Sequence, residues 1–374
     1  MSAGVCGCSM SKVLFLSDIE LKNPMRGTPI HVARLLTELR REHDMVVCAA
    51  SVPDDLTDVF VQYPRGGGLG KLRALLRIVD AHHPDIIFTI GQTGLVGPVL
   101  LKFLRRVPIV VELQGVEYVE KYAMGHIGLF QYYFWKYKSM LLLPLFDAVI
   151  AFTRRTAGLY PFVRNVKIIF PGIDLETVPY DTEPKPMTPL IAGYAGNTDA
   201  YQGLTHLIEA IALVRERGLD ARLHLVLTGD DAKVRARIEA FNLTSVTSIV
   251  RNISHAEAQQ EMRKTSTIVI PRTNALESVY GFPSKLPEAL AMGIPVILTN
   301  VGPVPELMPE IGEHALVIPV EDISNHLADA LTRVAAMSVA ERKKLGEDAR
   351  GYAKRFSWER AMGVASDAFK SAVG

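Results

Sequence analysis

Two basic residues, Arg272 and Lys285, lie beside a short helical pattern in a way that suits a bound anion. Arg272 follows the apolar run "STIVIP", and Lys285 follows Ser284 in "SKLPEALAMG", where a glycine ends the pattern. A helix start presents unpaired backbone N–H groups and a partial positive charge, and Ser284 is its predicted N-cap. This arrangement favours phosphate binding, and the alternative is a pair of solvated surface cations.

Two other stretches with glycine differ in how well they match known phosphate-binding loops. Residues 65–71, "RGGGLGK", lack the third glycine of the dinucleotide pattern, and Leu72 stands where a P-loop needs a hydroxyl. An ordinary loop is the favoured interpretation there. Gly27 and Thr28 follow the first apolar run at a predicted helix start, with Thr28 as N-cap, so the backbone can approach a ligand. An ordinary capped helix is an equal alternative for them.

The composition is that of a folded, soluble chain. Its 374 residues favour two domains, because one core usually divides beyond about 250–300 residues. With 48% hydrophobic and 22% charged residues it is globular, and a net charge of +1 produces no strong field that would recruit nucleic acid. An odd number of cysteines without a His cluster predicts a reduced, intracellular protein without a zinc site. The cysteines are Cys6, Cys8 and Cys48.

No stretch of the sequence predicts a membrane span or a signal peptide. The longest apolar run, "MLLLPLFDAVIAF", is interrupted by a proline and an aspartate and is too short to cross a bilayer. Residues 125–143 mix aromatic, apolar and Lys residues. Core packing or a dimer surface is the favoured interpretation, and an interfacial face near a lipid-linked acceptor is the alternative. The predicted location is cytoplasmic, with peripheral contact at the inner membrane face left open.

Short apolar runs alternate with amphipathic helical patterns, and this alternation restarts after a proline-rich stretch. Runs such as "KVLFLS" and "DIIFTI" are apolar throughout, which indicates parallel sheets covered on both faces. The predicted fold class is α/β, with two doubly wound, Rossmann-like domains facing a cleft. The predicted boundaries are 1–178 for the first domain, 179–189 for a linker, 190–356 for the second domain, and 357–374 for a helix that packs back on the first.

Four stretches give the chain a resemblance to the family-4 retaining glycosyltransferases of GT-B fold. They are "GTPIHVARLLTEL", "YAGNTDAYQGLTHLIEAI", "LVLTGDD" and "PR…FPSKLPEALAMGIPV…PEL", in this order. The resemblance implies an enzyme of polysaccharide biosynthesis that moves a sugar from a nucleotide-activated donor to a glycan, lipid-linked or small-molecule acceptor. It also implies that the first domain faces the acceptor and the second binds the donor.

The resemblance assigns roles to individual residues as well. Glu288 matches the second motif acid, which binds the ribose hydroxyls in the family, and a carboxylate can accept both hydrogen bonds of such a diol. The alternative is an acid that stabilises the helix start. The remaining donor-binding positions are Gly27, Thr28, Gly196, Asn197, Gln202, Ser284 and Glu306, and the acceptor-side positions are Gln114 and Glu117.

The chain departs from the family pattern at several of these positions. Tyr280 stands where the first motif acid would be, and Asn197 and Gln202 replace the Arg and Lys that usually neutralise the diphosphate. Arg272 and Lys285 are the natural replacements, and we predict that they are the catalytic cations. Because no Asp-x-Asp pair is present, neither a metal nor another cofactor is expected. A family His is also replaced, by Gln114.

The sequence leaves three functions open. A retaining sugar transferase is the leading one, and a nucleotide-sugar epimerase on the same fold or a degenerate, non-catalytic nucleotide-sugar-binding subunit are the alternatives. Nucleotide hydrolysis with and without acceptor would separate them. The donor sugar, the nucleotide, the acceptor and the linkage are not determined, because those contacts lie in variable loops. The oligomeric state is not determined either.

Overall fold

The computed structural model describes residues 11–22, 27–307 and 309–373, in two compact units. The first unit comprises Met1–Phe170 with Trp358–Gly374, and the second comprises Pro171–Ser357. The division therefore falls at residue 170, and the stretch 179–189 belongs to the second unit, where Pro186 O accepts a hydrogen bond from Ser266 Oγ at 2.9 Å. Cys6 and Cys8 lie outside the described residues.

The first unit is built on a seven-stranded parallel sheet. Its strands are β1 Lys12–Leu16, β2 Asp44–Ala49, β3 Phe60–Gln62, β4 Ile86–Ile90, β5 Ile109–Leu113, β6 Ala148–Ala151 and β7 Val166–Ile168. They lie in the order β3-β2-β1-β4-β5-β6-β7, so the direction of progression reverses between β1 and β4. The central strands are buried along almost their whole length, because helices cover both faces.

The helices of the first unit follow the strands in alternation. They are α1 Gly27–Leu39, α2 Gly68–His82, α3 Val96–Arg105, α4 Glu117–Ala123, α5 Leu129–Leu142 and α6 Arg154–Gly158. Gly27 is the first described residue of α1, so Thr28 lies inside the helix, and its prediction as N-cap is wrong. The chain returns to this unit at its end, and the ring of Phe369 lies 5.4 Å from that of Phe88 on β4.

The second unit is built on a six-stranded parallel sheet of the same kind. Its strands are β8 Leu190–Asn197, β9 Ala221–Thr228, β10 Thr247–Arg251, β11 Thr267–Ile270, β12 Val296–Thr299 and β13 Leu316–Ile318. They lie in the order β10-β9-β8-β11-β12-β13, with the reversal between β8 and β11. The prediction of two doubly wound parallel sheets is therefore confirmed.

The second unit has its helices on both faces of the sheet. They are α7 Leu204–Glu216, α8 Ala232–Ala240, α9 His255–Met262, α10 Leu276–Tyr280, α11 Lys285–Ala291, α12 Val304–Leu307, α13 Ile323–Ala336 and α14 Val339–Ala353. The last helix of the chain, α15 Trp358–Val373, belongs to the first unit and packs on β4, β5 and β6. Across the described residues, no helix combines the length and the apolar character that crossing a membrane requires.

Candidate functional site

Several predicted site residues lie at the carboxyl edge of the second sheet. Gly196 and Asn197 are the last residues of β8, and Gln202 ends the short 3-10 turn that follows. Arg272 follows Pro271, which comes directly after β11. Because the strand order reverses between β8 and β11, the chain leaves these two strands in opposite directions. In doubly wound sheets such a reversal opens a crevice at the carboxyl edge, where ligands bind.

Lys285 reaches from the first position of α11 to the end of β8. Its Nζ donates hydrogen bonds to Tyr194 Oη at 2.9 Å and to Gln202 Oε1 at 3.1 Å, and it lies 4.2 Å from the centre of the Tyr194 ring. Tyr194 donates its own hydroxyl proton to Asn197 O at 2.7 Å, so its oxygen can accept from Lys285. Both partners are neutral, and neither balances a positive charge on Lys285.

Two glycines permit this close arrangement of the loops after β8 and β11. A Cβ at Gly196 would overlap the amine end of Lys285, and a Cβ at Gly203 would overlap the carbonyl oxygen of Pro271. Gly196 and Gly203 have positive φ angles of +149° and +73°, a backbone conformation that residues with a side chain rarely adopt. Any larger residue at Gly196 would therefore displace the lysine, and one at Gly203 would separate the two loops.

The electrostatics of this edge favour an anion. Burial, and then the positive charge of Arg272, lower the pKa of Lys285 well below its usual value, while Asp199 opposes the shift. The hydrogen bonds of Lys285 Nζ in the described chain go to the two neutral oxygens and not to a carboxylate. A bound anion would stabilise the protonated lysine and supply the charge that this edge lacks.

Arg272 is held between two loops of the same edge. Its guanidinium donates to Gly281 O at 2.9 Å, and its central carbon lies 5.4 Å from the centre of the Tyr201 ring. Its backbone oxygen accepts a hydrogen bond of 2.6 Å from Thr299 Oγ1 at the end of β12. The residue is thus anchored through both its main chain and its side chain, which limits the orientations of the guanidinium.

Glu288 lies on α11, one turn after Lys285, and it is paired with a residue that the sequence did not reveal. Its Oε1 lies 2.8 Å from His255 Nε2 at the start of α9. Burial raises the pKa of Glu288, while His255 and Gln259 act in the opposite direction. The sequence around His255 shows a capping-box pattern, "SHAE", which indicates where α9 begins but not what its first residue contacts.

The other predicted site residues of the second unit are Asn197, Ser284 and Glu306, and their surroundings differ. Asn197 donates to Asp199 Oδ2 at 2.7 Å, and its own Oδ1 is buried without a hydrogen-bond partner. Ser284 occupies the predicted N-cap position of α11, but its backbone is helical and its side chain makes no capping hydrogen bond. Glu306 is exposed on α12. The turn before α12 contains Gly302 and packs closely on the end of α10, because a Cβ on Gly302 would overlap Ser278 O.

The remaining predicted residues lie in the first unit, at the carboxyl edge of its own sheet. Gln114 follows β5 and donates to Glu112 Oε1 at 2.8 Å, and the same oxygen lies 3.1 Å from His31 Nε2. Glu117 begins α4, where its Oε1 accepts a hydrogen bond of 2.8 Å from the backbone of Gln92. Gly27 and Thr28 begin α1. Sequence reasoning missed the buried pair of His31 and Glu112.

The described residues contain no group of three or more His, Cys, Asp or Glu side chains arranged to hold a metal ion. The charged groups that influence Lys285 at the second-sheet edge include Arg272 and Asp199. Chemistry at this edge can therefore draw on fixed positive side chains and on neutral hydrogen-bonding groups.

Comparison with known sequences identifies both units. The pattern of the family described as "Glycosyltransferase Family 4" matches residues 25–177, and that of "Glycosyl transferases group 1" matches residues 189–337. A D-inositol 3-phosphate glycosyltransferase of Saccharomonospora viridis is 25% identical over 56% of this chain and 50% of its own length. An uncharacterized glycosyltransferase of Methanocaldococcus jannaschii is 30% identical over 41% of this chain and 44% of its own length. The chain spans about half the length of these curated relatives.

Solved structures agree with the fold. The Anabaena HepE protein in complex with UDP superposes with a TM-score of 0.76 at 16% identity, over 97% of this chain and 100% of HepE. The lipopolysaccharide outer core galactosyltransferase WaaB superposes with a TM-score of 0.71 at 13% identity, over 96% and 99% of the two chains. The predicted GT-B fold is confirmed, and with the two matched patterns covering 25–177 and 189–337, the chain belongs to the family-4, group 1 glycosyltransferases.

Proposed function

We propose that this protein is a retaining glycosyltransferase that takes a sugar from a nucleotide-activated donor bound at the carboxyl edge of the second sheet. The observation that carries the proposal is the environment of Lys285, a half-buried lysine held by two neutral oxygens next to Arg272. A lysine in this environment is costly unless a ligand supplies negative charge. The diphosphate of a nucleotide-sugar is such a ligand.

The two cations have complementary properties for holding a diphosphate. Lys285 is a compact charge on a flexible stem, whereas the guanidinium of Arg272 is planar and can grip two oxygens at once. When the bond from the sugar to the diphosphate breaks, negative charge accumulates on the leaving group. Preorganised cations stabilise that charge more in the transition state than in the ground state, which accelerates transfer without requiring a metal.

Glu288 is proposed to bind the ribose of the nucleotide. Its Oε1 is engaged by His255, and this contact orients the carboxylate so that Oε2 can accept a hydrogen bond from a hydroxyl. Because α11 places Glu288 one turn after Lys285, one short helix would hold both the ribose and the diphosphate. The complexes of HepE with UDP and with UDP-glucose support a uridine nucleotide as the first donor to test.

The acceptor is proposed to be a glycan, a lipid-linked sugar or a small molecule, used in polysaccharide biosynthesis and recognised by the first unit. Gln114 and Glu117 stand at the carboxyl edge of that unit's sheet, beside the buried carboxylate of Glu112. Carboxylate and amide oxygens accept hydrogen bonds from sugar hydroxyls. The cytoplasmic location and the retained anomeric configuration stay predictions, and the configuration can be read from the NMR coupling constants of the product.

The experiment that tests this function measures nucleotide binding and sugar transfer in the same preparation. Calorimetry with UDP, GDP and ADP should identify one nucleotide that binds, and its sugar conjugates should release nucleoside diphosphate faster when an acceptor is added. The Arg272→Ala variant should lower turnover by about 10²–10³ while changing nucleotide affinity less. An exposed arginine away from the site, as in Arg217→Ala, provides the matched control.

Three results would contradict the proposal. If none of the nucleotides binds, the second-sheet edge is not a nucleotide site. If a nucleotide-sugar is consumed at the same rate without any acceptor and yields a rearranged sugar, the enzyme is an epimerase. Binding without either reaction, across glycan, lipid-linked and small-molecule acceptors, would point to a non-catalytic binding subunit.

A further inference from the structure

We propose that helices α3 and α5 of the first unit form a surface that binds an anionic lipid bilayer. We define the α3–α5 face as the exposed apolar residues of these two helices and of the turn after α5. They are Val96, Leu100, Phe103, Leu104, Leu129, Phe130, Tyr133, Phe134, Tyr137, Leu141 and Leu145. The proposal concerns where the protein works and does not depend on the donor site.

Exposed apolar side chains are concentrated in this one region. Among the described residues, eighteen large apolar side chains are exposed, and thirteen of them fall within residues 96–145. Phe130 is 84% exposed and Leu141 is 74% exposed. Single exposed apolar residues are normal on a protein surface, but a concentration of this kind marks a region that is covered by a partner.

The spacing of these residues places them along one side of each helix. In α5 the exposed residues Phe130, Phe134, Tyr137 and Leu141 follow each other at intervals of three or four. In α3, Leu100 lies four residues after Val96, and Phe103 and Leu104 lie three and four residues after Leu100. Residues at these intervals share one face of a helix, so each helix turns an apolar stripe toward solvent instead of toward its own core.

Two hydrogen bonds show that the two helices are neighbours. Lys138 on α5 donates to Thr93 O, just before α3, at 3.1 Å. Lys102 on α3 donates to Leu145 O, just after α5, at 2.8 Å. Each helix is therefore linked to the segment that borders the other, and the proposal places their two apolar stripes in one surface.

The charges around this face are those that complement an anionic surface. The sequences of α3, "VGPVLLKFLR", and α5, "LFQYYFWKYKSMLL", contain basic residues and no acid. Lys102 is paired with Asp147 and Arg105 with Asp80, and Glu117 on α4 acts electrostatically on Lys138. Lys136 and the adjacent Arg106 are the basic residues without such a carboxylate among those described. Trp135 lies between Lys121 and Lys138, whose Nζ atoms are 4.7 and 4.9 Å from its ring. Aromatic rings beside lysines are typical of the membrane interface.

The same charges disfavour a second copy of this chain as the partner. A two-fold dimer would place the α3–α5 face against itself, so the basic residues of one copy would meet those of the other. An anionic bilayer offers apolar depth for the aromatic side chains and negative headgroups for the lysines. The charges therefore favour the bilayer as the partner of the α3–α5 face, and self-association is one outcome of the test.

The test is vesicle flotation of the full chain with phosphatidylcholine vesicles, with and without phosphatidylglycerol. The wild type should float with the anionic vesicles, with affinity increasing on the order of fivefold for each lysine that reaches the surface. The double variant Phe130→Ser, Phe134→Ser should bind the anionic vesicles with an affinity reduced by at least about tenfold, because two exposed aromatic side chains no longer enter the bilayer. Lys136→Gln should weaken binding to anionic vesicles only.

Matched controls separate this role from a loss of folding. The double variant Phe162→Ser, Val339→Ser removes two exposed apolar side chains outside the face and should float like the wild type. All variants should keep the wild-type melting temperature and their activity on a water-soluble acceptor, since the changed apolar residues are exposed and Lys136 is only partly buried. The proposal is overturned if the wild type ignores both vesicle types, if it binds both equally, or if Phe130→Ser, Phe134→Ser binds normally. A wild-type dimer that this variant dissociates, without vesicle binding, would equally overturn it.

Discussion

The carboxyl edges of the two sheets carry different chemistry on one topology. In the second unit this edge gathers Lys285 and Arg272 around neutral partners. In the first unit the corresponding edge holds Glu112, fully buried, between His31 and Gln114. Both sheets reverse their strand order once and so create a ligand crevice in the same way. The topology determines where a ligand binds, and the side chains at the edge determine which kind.

The two edges also differ in how far their charges are satisfied inside the protein. One oxygen of Glu112 has two partners in its own unit, whereas its Oε2 is buried without a hydrogen-bond partner. The amine of Lys285 has only neutral partners, and its pKa is well below the usual value because the charged form is disfavoured by burial and by Arg272. We infer that the partners of Glu112 Oε1 contribute to the stability of the first unit, whereas the charge of Lys285 is balanced only by a ligand. The following predictions test that difference.

The largest effect is expected at Lys285. Lys285→Met keeps much of the side-chain volume but removes the cation, and it should lower turnover by about 10²–10³ at saturating donor. Because a desolvated amine is removed, the free energy of unfolding should stay the same or rise. Lys343→Met, which changes an exposed lysine paired with Glu183, is the control. Near-normal turnover in Lys285→Met would mean that the diphosphate binds elsewhere.

The next effect concerns Glu288 and separates ribose from diphosphate recognition. Glu288→Ala should weaken the binding of the nucleoside diphosphate by about 10–100-fold, the loss expected for a hydrogen-bonded charged group. Its affinity for inorganic pyrophosphate, which has no ribose, should stay within about twofold of wild type. Calorimetry with both ligands makes the comparison. Equal losses for the two ligands would show that Glu288 acts on the whole site and not on the ribose.

Glu112 in the first unit provides the opposite case. Glu112→Gln leaves His31 or Gln114 with a less favourable partner, so urea unfolding should show a loss of about 1–3 kcal/mol. Nucleotide affinity should not change, because the nucleotide is proposed to bind the second unit. A nucleotide affinity that falls along with stability would break the distinction between Glu112, which is paired within the first unit, and the nucleotide-dependent Lys285. The isosteric change keeps the volume, so cavity formation is not a factor.

The smallest effect is a dependence of binding on pH. The pKa of Lys285 is lowered in the free protein, and a bound diphosphate should raise it, so binding takes up a proton between these two values. Affinity should therefore fall as pH rises through that window, by at most about tenfold per pH unit for one proton. Calorimetry in buffers of different ionisation enthalpy measures the uptake. Lys285→Met should lack this component, and subtracting it removes the titration of the ligand itself.

The sequence alone was sufficient for the fold class and for the family. Uniformly apolar strands of four to eight residues alternate with amphipathic helices, and this periodicity depends only on neighbours in the chain. It predicted two doubly wound parallel sheets, and the motif around Lys285 and Glu288 pointed to the family that the comparisons show. The N-cap at Thr28 was predicted wrongly, and Ser284 takes the N-cap position without the capping hydrogen bond. A cap depends on one residue's backbone angles and hydrogen bond rather than on a repeated pattern.

Only the tertiary structure decided which side chains meet. His255 contacts Glu288, and Tyr194 and Gln202 hold Lys285, across separations in sequence that no local pattern encodes. Gly196 is needed because a lysine from a different helix passes over it, which its own neighbours do not reveal. The apolar stripe of α5 was interpreted as core packing or a dimer surface, and the fold turns it toward solvent, which contradicts only the core. Periodicity determines that a helix has an apolar side, and only packing determines whether that side is covered.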